Sequence, residues 1–310
     1  MRIASLVPSA TEMIFAMGLG ESVVAVTHEC DFPPEASDLP QLTTSVIPAD
    51  LPPADIDALV RGQLDQGKSL YTLDAELLKE EEPDLIVAQQ LCDVCAVSID
   101  DVRAVAETIE SKPKVISLDP TTLGEVLGDI RLIAQAVDEI TGGEEAKDAG
   151  VDLLRSLADR IDDVKIALKD VGRESGPERV PAVALEWLDP IFLGGHWVPQ
   201  MIELAGGMDF LGLPGEPSRE SDWDEVRAAQ PRATILMQCG YDVARSAAEA
   251  EDFAAELRSL GAQKIFACDA NAYFSRPGPR LVDGLELLAS ALHPELVPEP
   301  AAGAMLELDL

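Results

Sequence analysis

The sequence predicts an α/β protein in which two parallel-sheet lobes are joined by one long backbone helix. Apolar segments of strand length alternate with amphipathic helical patterns in the first half of the chain, and the alternation returns in the second half. One long helical pattern separates the two halves. Because ligands of open parallel sheets lie beyond the carboxyl ends of the strands, we expect a ligand cleft between the lobes.

The amino-terminal lobe is predicted to span residues 1–142. Its strands are RIASLV, SVVAVT, DLIVAQ and KVISLD, with a short extra strand in SLYTLD. Ser9 and Glu12 have the S-x-x-E spacing of a capping box and are predicted to start the first helix. Gly18 and Gly20 are expected to end that helix.

The backbone helix is predicted over residues 143–169. Apolar residues recur there in steps of three and four, which places them on one stripe of a helix. The stripe consists of Val151, Leu154, Leu157, Ile161, Val164 and Leu168.

The carboxyl-terminal lobe is predicted to span residues 178–295. Its expected strands are VPAVALEW, ATILMQ and KIFACD, and its expected helices lie in WVPQMIELA, DWDEVRAAQ, ARSAAEAEDFAAELRSL and LVDGLELLASAL. The tail, residues 296–310, is rich in proline and alanine and is predicted to be weakly ordered.

The charge of the chain is extreme. It carries 57 acidic and 23 basic residues, for a formal net charge of −34, and the acids are spread along the whole sequence. Such self-repulsion is screened in concentrated salt, so the composition predicts a halophilic protein. A surface of this sign repels phosphate backbones, and nucleic-acid binding is therefore excluded.

The compartment is predicted from the amino terminus and the cysteines. The chain opens directly on a strand and a helix and has no secretory signal pattern, so it is predicted to be cytoplasmic as written, or extracytoplasmic if an upstream start is missing. No apolar run reaches the length of a membrane span. Five cysteines do not form a disulfide framework.

Several separated motifs then suggest a family. SLVPSATEMIFAMG, PDLIVA, LDPIFLGGHWVPQMIELAGG and YFSRPGPRLVDGLE resemble the helical-backbone (class III) substrate-binding proteins of ABC importers, the vitamin B12 and iron-siderophore type. HECDFP and LCDVCAV resemble its cobalamin-binding subgroup. The resemblance implies a binding protein for a corrinoid or related metal-chelate ligand, with an ABC permease as partner.

The resemblance also assigns single positions. It places a cobalamin-contacting tryptophan at Trp223 and a permease-docking acid at Asp100 or Asp101. Gln89 and Ser117 stand where the family has tryptophan.

Residues near the predicted strand ends are the candidate ligand contacts. Aromatic faces suit a broad apolar macrocycle, amides and hydroxyls orient it, and arginine grips a carboxylate or phosphate. His28 and His196 could each coordinate cobalt or heme iron. The candidates are Pro8, Ser9, His28, Gln89, Gln90, Cys92, His196, Trp197, Trp223, Tyr241, Tyr273 and Arg276.

The cysteines leave an alternative open. Cys92 and Cys95 have metal-ligand spacing, and His28 and Cys30 follow what is predicted to be a neighbouring strand, so the four could hold zinc or iron. The chain would then be an intracellular metal-site protein or metalloenzyme, whereas buried packing is the simplest role for these cysteines. No nucleophile elbow or catalytic triad is present, so we predict that the protein is not an enzyme and that it requires no cofactor.

Overall fold

The computed structural model describes residues 1–48, 51–66, 69–90, 97–298, 300 and 303–310. By their internal contacts these residues divide into two compact units. Unit 1 comprises residues 1–120 and 124–156, and unit 2 comprises residues 121–123 and 157–310.

The sheet of unit 1 is parallel throughout and has the strand order β2-β1-β5-β6. Strands β3 and β4 form a separate two-stranded antiparallel sheet. The strands of the first half are β1 Ile3–Ser5, β2 Val23–Ala25, β3 Thr43–Ser45, β4 Tyr71–Leu73, β5 Leu85–Gln89 and β6 Lys114–Leu118. The helices are α1 Pro8–Ala16, α2 Pro53–Leu64, α3 Ala75–Glu80, α4 Ile99–Ala106 and α5 Leu123–Thr141, with 3₁₀ turns at Gly20–Ser22 and Pro34–Asp38.

The four main strands and the short extra strand are confirmed, but one assumption about their order is wrong. The prediction that β2 and β5 are neighbours is wrong, because β1 pairs with both and lies between them. Parallel sheets are commonly extended from a central first strand, and the apolar pattern of a strand carries no information about its neighbours. The carboxyl ends of β2 and β5 are therefore two strand spacings apart, about 10 Å.

The predicted capping box of α1 is also wrong. The helix begins at Pro8, with Val7 as its cap and no capping side chain. Proline at the first helical position has its φ already fixed, and it lacks an N–H that would need a partner. Ser9 consequently lies inside the first turn, where its hydroxyl is buried and has no hydrogen-bond partner among the described residues.

The long helix is α6, Glu145–Ala167, and it carries the chain from unit 1 into unit 2. Five members of the predicted stripe are buried, but Val151 is 43% exposed. Gly150, and not Val151, faces α5 at this level of the helix. A Cβ at Gly150 would lie 3.2 Å from the Cβ of Ala134 on α5. Gly150 and Leu154 are four residues apart and share the face that packs inward.

The sheet of unit 2 has the order β10-β8-β7-β11-β12-β13, and β9 pairs with the first part of β7. Strands β9, β7, β11 and β12 are parallel, while β8, β10 and β13 run antiparallel to their neighbours. The strands are β7 Val180–Leu188, β8 Ile191–Leu193, β9 Gly207–Asp209, β10 Arg219–Ser221, β11 Ala233–Leu236, β12 Lys264–Cys268 and β13 Met305–Glu307. The helices are α7 Val198–Leu204, α8 Trp223–Ala228, α9 Val243–Asp252, α10 Ala254–Ser259, α11 Ala270–Tyr273 and α12 Leu281–Leu292.

Two predictions for this half need correction. The tail is not simply weakly ordered, because β13 pairs with β12 and Lys264 forms an ion pair of 3.2 Å with Glu307. The predicted helix ARSAAEAEDFAAELRSL is two helices, since Phe253 has φ −105° and ψ 17° between α9 and α10. Strands of three residues, such as β13, are too short to show a period in the sequence.

No helix in the described part of the chain has the length and apolar character needed to cross a membrane.

Candidate functional site

A compact group of hydroxyls and one thiol lies at the carboxyl edge of the unit 1 sheet. Thr11 on α1 donates a 2.8 Å hydrogen bond to the Ser5 hydroxyl at the end of β1. The Cys30 sulfur lies 3.1 Å from the Thr11 hydroxyl and 3.3 Å from the Thr27 hydroxyl. All four side chains are buried. The group joins the ends of β1 and β2 to the start of α1.

His28 points toward the β3–β4 pair. Its Nδ1 is 2.8 Å from the Thr43 hydroxyl, and its ring centroid lies 5.7 Å from that of Tyr71. The Tyr71 hydroxyl in turn donates to Glu29 at 3.1 Å. His28 and Cys30 thus have separate sets of partners although they are two residues apart.

The predicted metal set is not assembled within the described residues. Cys92 and Cys95 lie outside them. Among the residues that the structure describes, no three histidine, cysteine, aspartate or glutamate side chains form a group that could hold a metal ion. Because β1 separates β2 from β5, the reason for expecting the four residues to converge is lost. The metal site stays a prediction.

The remaining unit 1 candidates lie at or near the predicted strand ends. Pro8 and Ser9 are buried in the first turn of α1, and Gln89 is the buried last residue of β5. The N–H of Gln90, which is exposed, donates to the Asp119 carboxylate at 2.6 Å. Asp119 follows β6, so this bond connects two neighbouring strand ends.

Three acids, Asp119, Glu125 and Asp129, lie close enough at this edge for their charges to interact. Asp129 on α5 is buried, and its Oδ2 has no hydrogen-bond partner in the described structure. Burial, assisted by the charges of Asp119 and Glu125, raises the pKa of Asp129 to about 7. A carboxyl group in this environment is partly protonated near neutral pH.

The carboxyl edge of unit 2 is different in kind, because it gathers aromatic rings and arginines. Trp187 near the end of β7 and Tyr241 after β11 meet edge to face, with centroids 5.5 Å apart. The N–H of Asn271 on α11 donates to the Tyr241 carbonyl at 3.0 Å. The Arg245 guanidinium lies 3.9 Å from the centroid of the Tyr241 ring. The segments after β11 and β12 are thereby fixed to each other.

Tyr241 packs beneath this edge and exposes little of its ring there. Its side chain is buried, and burial, reinforced by the Glu249 carboxylate, raises the pKa of Tyr241 to about 12. The phenol therefore stays protonated under ordinary conditions.

Trp197 ties the loop after β8 to the segment after β12. Its indole N–H donates to the Phe274 carbonyl at 2.8 Å, and the ring is buried. The Gly195 N–H donates to the Glu186 carboxylate at 3.1 Å. Only glycine fits at position 195, because a Cβ there would lie 2.2 Å from the Ser218 nitrogen.

His196 lies between these two fixed residues. Its backbone is left-handed, with φ of 50°, and its N–H and carbonyl both bond to the loop 215–216. Its ring is half-buried, with the centroid 5.5 Å from that of Trp197. Burial lowers the pKa of His196, so its imidazole is neutral at pH 7.

Tyr273 and two arginines complete the edge. Tyr273 ends α11 and is partly exposed, with the Arg280 guanidinium 5.9 Å from its ring centroid. Arg276 is largely buried and donates to the Asn271 side chain at 3.1 Å. An aromatic face and two guanidinium groups are thus held by one short stretch of chain.

Trp223 does not belong to this group. It begins α8, where its ring lies 6.1 Å from that of Phe253 and packs against an apolar core cluster of unit 2. The structure gives Trp223 a packing role, and its contact with a ligand stays a prediction.

Asn271, Arg245 and Glu186 were not among the predicted site residues. Each acts by holding a loop or a ring, and the available sequence signal was weak. Asn271 comes two residues after the predicted strand KIFACD, but the bond it makes depends on the path of the neighbouring loop.

The fold defined by these elements is that of the periplasmic substrate-binding proteins. The structure of the periplasmic vitamin B12 binding protein BtuF of Vibrio cholerae matches with a TM-score of 0.63 and 21% identity, covering 94% of this chain and 96% of that one. The periplasmic heme-binding protein RhuT from Roseiflexus sp. RS-1 matches with a TM-score of 0.66 and 22% identity, covering 94% and 98%.

Sequence relatives agree with the structural neighbours. A vitamin B12-binding protein of Vibrio cholerae is 22% identical over 291 residues, which is 94% of this chain and 88% of the relative. An uncharacterized ABC transporter substrate-binding lipoprotein of Bacillus subtilis, YvrC, is 22% identical over 305 residues, covering 96% and 82%. No protein-family model matches the chain. The resemblance to helical-backbone substrate-binding proteins is confirmed.

The comparisons correct the predicted compartment. The two structural neighbours are periplasmic proteins, and the Bacillus relative is a lipoprotein of an ABC transporter. The prediction of a cytoplasmic protein is therefore wrong. It rested on the start of the given sequence, which carries less information about compartment than relatives that cover nearly the whole chain.

Proposed function

We propose that this protein is the substrate-binding component of an ABC importer and that it binds a corrinoid or a related metal chelate such as heme. The relatives named for vitamin B12 and heme binding cover nearly the whole chain. The observation that carries the proposal is the carboxyl edge of unit 2, where an aromatic face, a neutral imidazole and two arginines are held by hydrogen-bonded loops.

The chemistry of that edge suits a flat, partly apolar chelate with anionic substituents. The partly exposed ring of Tyr273 offers an apolar face to a macrocycle. Arg276 and Arg280 suit a carboxylate or phosphate, such as heme propionates or the cobalamin phosphate. His196 is neutral, which is the form of imidazole that coordinates a metal.

Trp197 and Tyr241 have a different role in this proposal. Both rings are buried, so most of their surface is used in packing within the protein. They fix the loops that present His196 and Tyr273. We therefore propose that Trp197 and Tyr241 position the site, and that they do not form the ligand contacts predicted from the sequence.

The wider setting follows from the relatives. The protein acts as a receptor without catalysing a reaction, works outside the cytoplasm and delivers its ligand to a permease. The alternative of an intracellular metalloenzyme gains no support from relatives that are named as binding proteins.

A fluorescence titration tests the proposal. Cyanocobalamin, cobinamide and hemin are added separately to the protein in molar potassium chloride, and tryptophan emission is followed. Trp187 and Trp197 lie at the proposed edge, so we expect saturable quenching by at least one chelate. The Trp223→Phe variant should retain that quenching, because Trp223 packs against Phe253 elsewhere in unit 2. Absence of saturable quenching by all three would refute the proposed ligand class.

A further inference from the structure

A depression of about 430 Å³ lies at the opposite edge of the unit 2 sheet from the candidate site. Its lining includes Gly172, Arg173, Glu178, Arg179, Pro181 and Arg232. Pro181 is near the start of β7, and Arg232 directly precedes β11, so the depression lies at the amino ends of the parallel strands. Three arginines around one depression are notable in a chain of net charge −34.

Arg179 is held in a fixed position. Its Nη1 donates to the Glu203 carbonyl at 3.1 Å and to the Gly207 carbonyl at 2.9 Å. The loop after α6 lies directly against it, because a Cβ at Gly172 would be 3.3 Å from the Arg179 Cγ. Gly172 has φ of 77°, a backbone conformation that favours glycine.

The charge of Arg179 is satisfied by carbonyl dipoles and not by an acid. Within the described residues it forms no ion pair with a carboxylate, and only one of its terminal nitrogens is used by the two carbonyls. Five N–H groups in a fixed fork leave donors available to a bidentate acceptor.

The two neighbouring arginines are weakly paired. The Arg173 guanidinium is 3.3 Å from Asp170, and the Arg232 guanidinium is 3.6 Å from Glu178, which is itself 89% exposed. Exposed ion pairs of this length contribute little to stability, so an anion of higher charge density can displace them.

We propose that this depression binds a small tetrahedral oxyanion of the phosphate or sulfate class. Arg179 supplies the pre-positioned guanidinium, Arg232 and Arg173 supply further positive charge, and Glu178 opposes the incoming anion. This site is separate from the proposed chelate site, because it lies at the other edge of the same sheet. It would bind its anion whether or not a chelate is bound.

Binding of inorganic phosphate to the full chain tests the inference. The transverse relaxation of the ³¹P signal is followed as protein is added at a fixed potassium chloride concentration. We expect Arg232→Gln and Arg179→Gln each to weaken binding about tenfold, as expected for the loss of one charge-assisted hydrogen bond. Glu178→Gln should strengthen binding severalfold, because it removes a negative charge from the lining.

The charge-removal variant keeps the test decisive. Arg179→Gln also loses two bonds to backbone carbonyls and could fail to fold, but Glu178→Gln changes only an exposed side chain. Glu107→Gln, an exposed acid of unit 1, is the matched control and should leave binding unchanged. The inference is overturned if wild-type protein does not broaden the phosphate signal, or if Glu178→Gln and Glu107→Gln bind phosphate equally.

Discussion

The carboxyl edges of the two sheets occupy equivalent positions in their units but differ in chemistry. Among the described residues, the edge of unit 1 carries small hydroxyls, a thiol and acids, represented by Thr11, Cys30 and Asp119. The edge of unit 2 presents aromatic rings and guanidinium groups, represented by Tyr273 and Arg280. The fold sets where a site can form, whereas the side chains decide which ligand the site suits.

The difference extends to how each edge is stabilised. In unit 1 the buried hydroxyls of Thr11 and Ser5 bond to each other, and one oxygen of the buried carboxyl Asp129 has no partner among the described residues. In unit 2 the loops are connected by hydrogen bonds from Trp197 and Asn271 to backbone carbonyls. We therefore expect unit 2 to hold its edge in a fixed geometry.

The largest expected effect comes from lowering salt, which acts on both units. Repulsion among 57 acids is screened over about 3 Å in molar salt, but over about 10 Å at 0.1 M. We predict that the midpoint of thermal unfolding falls steeply between 2 M and 0.1 M potassium chloride, measured by circular dichroism. A midpoint that does not change would show that the acidic composition is not a halophilic adaptation.

Truncating Trp197 should have the next largest effect and tests whether the unit 2 edge is held as described. Trp197→Ala removes a buried ring and leaves the Phe274 carbonyl without its donor, so we expect the free energy of unfolding to fall by about 3–5 kcal/mol. Trp223→Ala removes a ring that is only partly buried and should cost less. Denaturant unfolding in molar salt measures both. Equal losses would remove the distinction between the two tryptophans.

Asp129 gives a smaller effect with a defined pH dependence. Its folded pKa, about 7, is above the usual value of 3.8, so folding favours the protonated carboxyl. Stability is greatest below the unfolded pKa and is lost as pH rises from about 4 to 7. Asp129→Asn should therefore stabilise the protein at pH 8, by about 2–4 kcal/mol.

The control for this prediction is Asp148→Asn, which neutralises an exposed acid on α6. The measurement is denaturant unfolding of both variants and of wild-type protein at pH 5 and pH 8. If the gain from Asp129→Asn were the same at both pH values, the raised pKa would not be its source.

The sequence predicted the long elements of the fold because their patterns are local. The apolar run DLIVAQ and the spacing from Leu154 to Leu168 are visible in one dimension, and β5 and α6 were placed correctly. Strand order is not local, and so the position of β1 between β2 and β5 was missed. Strands of three residues such as β13 were missed because pairing, and not a pattern, defines them.

The sequence predicted where the candidate site residues lie, but not what each side chain does there. Strand ends correctly indicated where Tyr241, Tyr273 and Arg276 would lie. The sequence could not show that Tyr241 would be buried, or that Trp223 would pack against Phe253. Those outcomes depend on which loops meet in three dimensions, and one sequence contains no record of such contacts.

Tyr273 provides the most direct test of the claim that the unit 2 edge binds the ligand. Equilibrium dialysis with the chelate that quenches most strongly gives the dissociation constants of wild-type, Tyr273→Ala and Trp223→Phe proteins, each checked for folding by circular dichroism. Loss of one aromatic contact is worth roughly a tenfold change. We predict about tenfold weaker binding by Tyr273→Ala and unchanged binding by Trp223→Phe. Wild-type affinity in Tyr273→Ala, or loss of binding in Trp223→Phe alone, would contradict it.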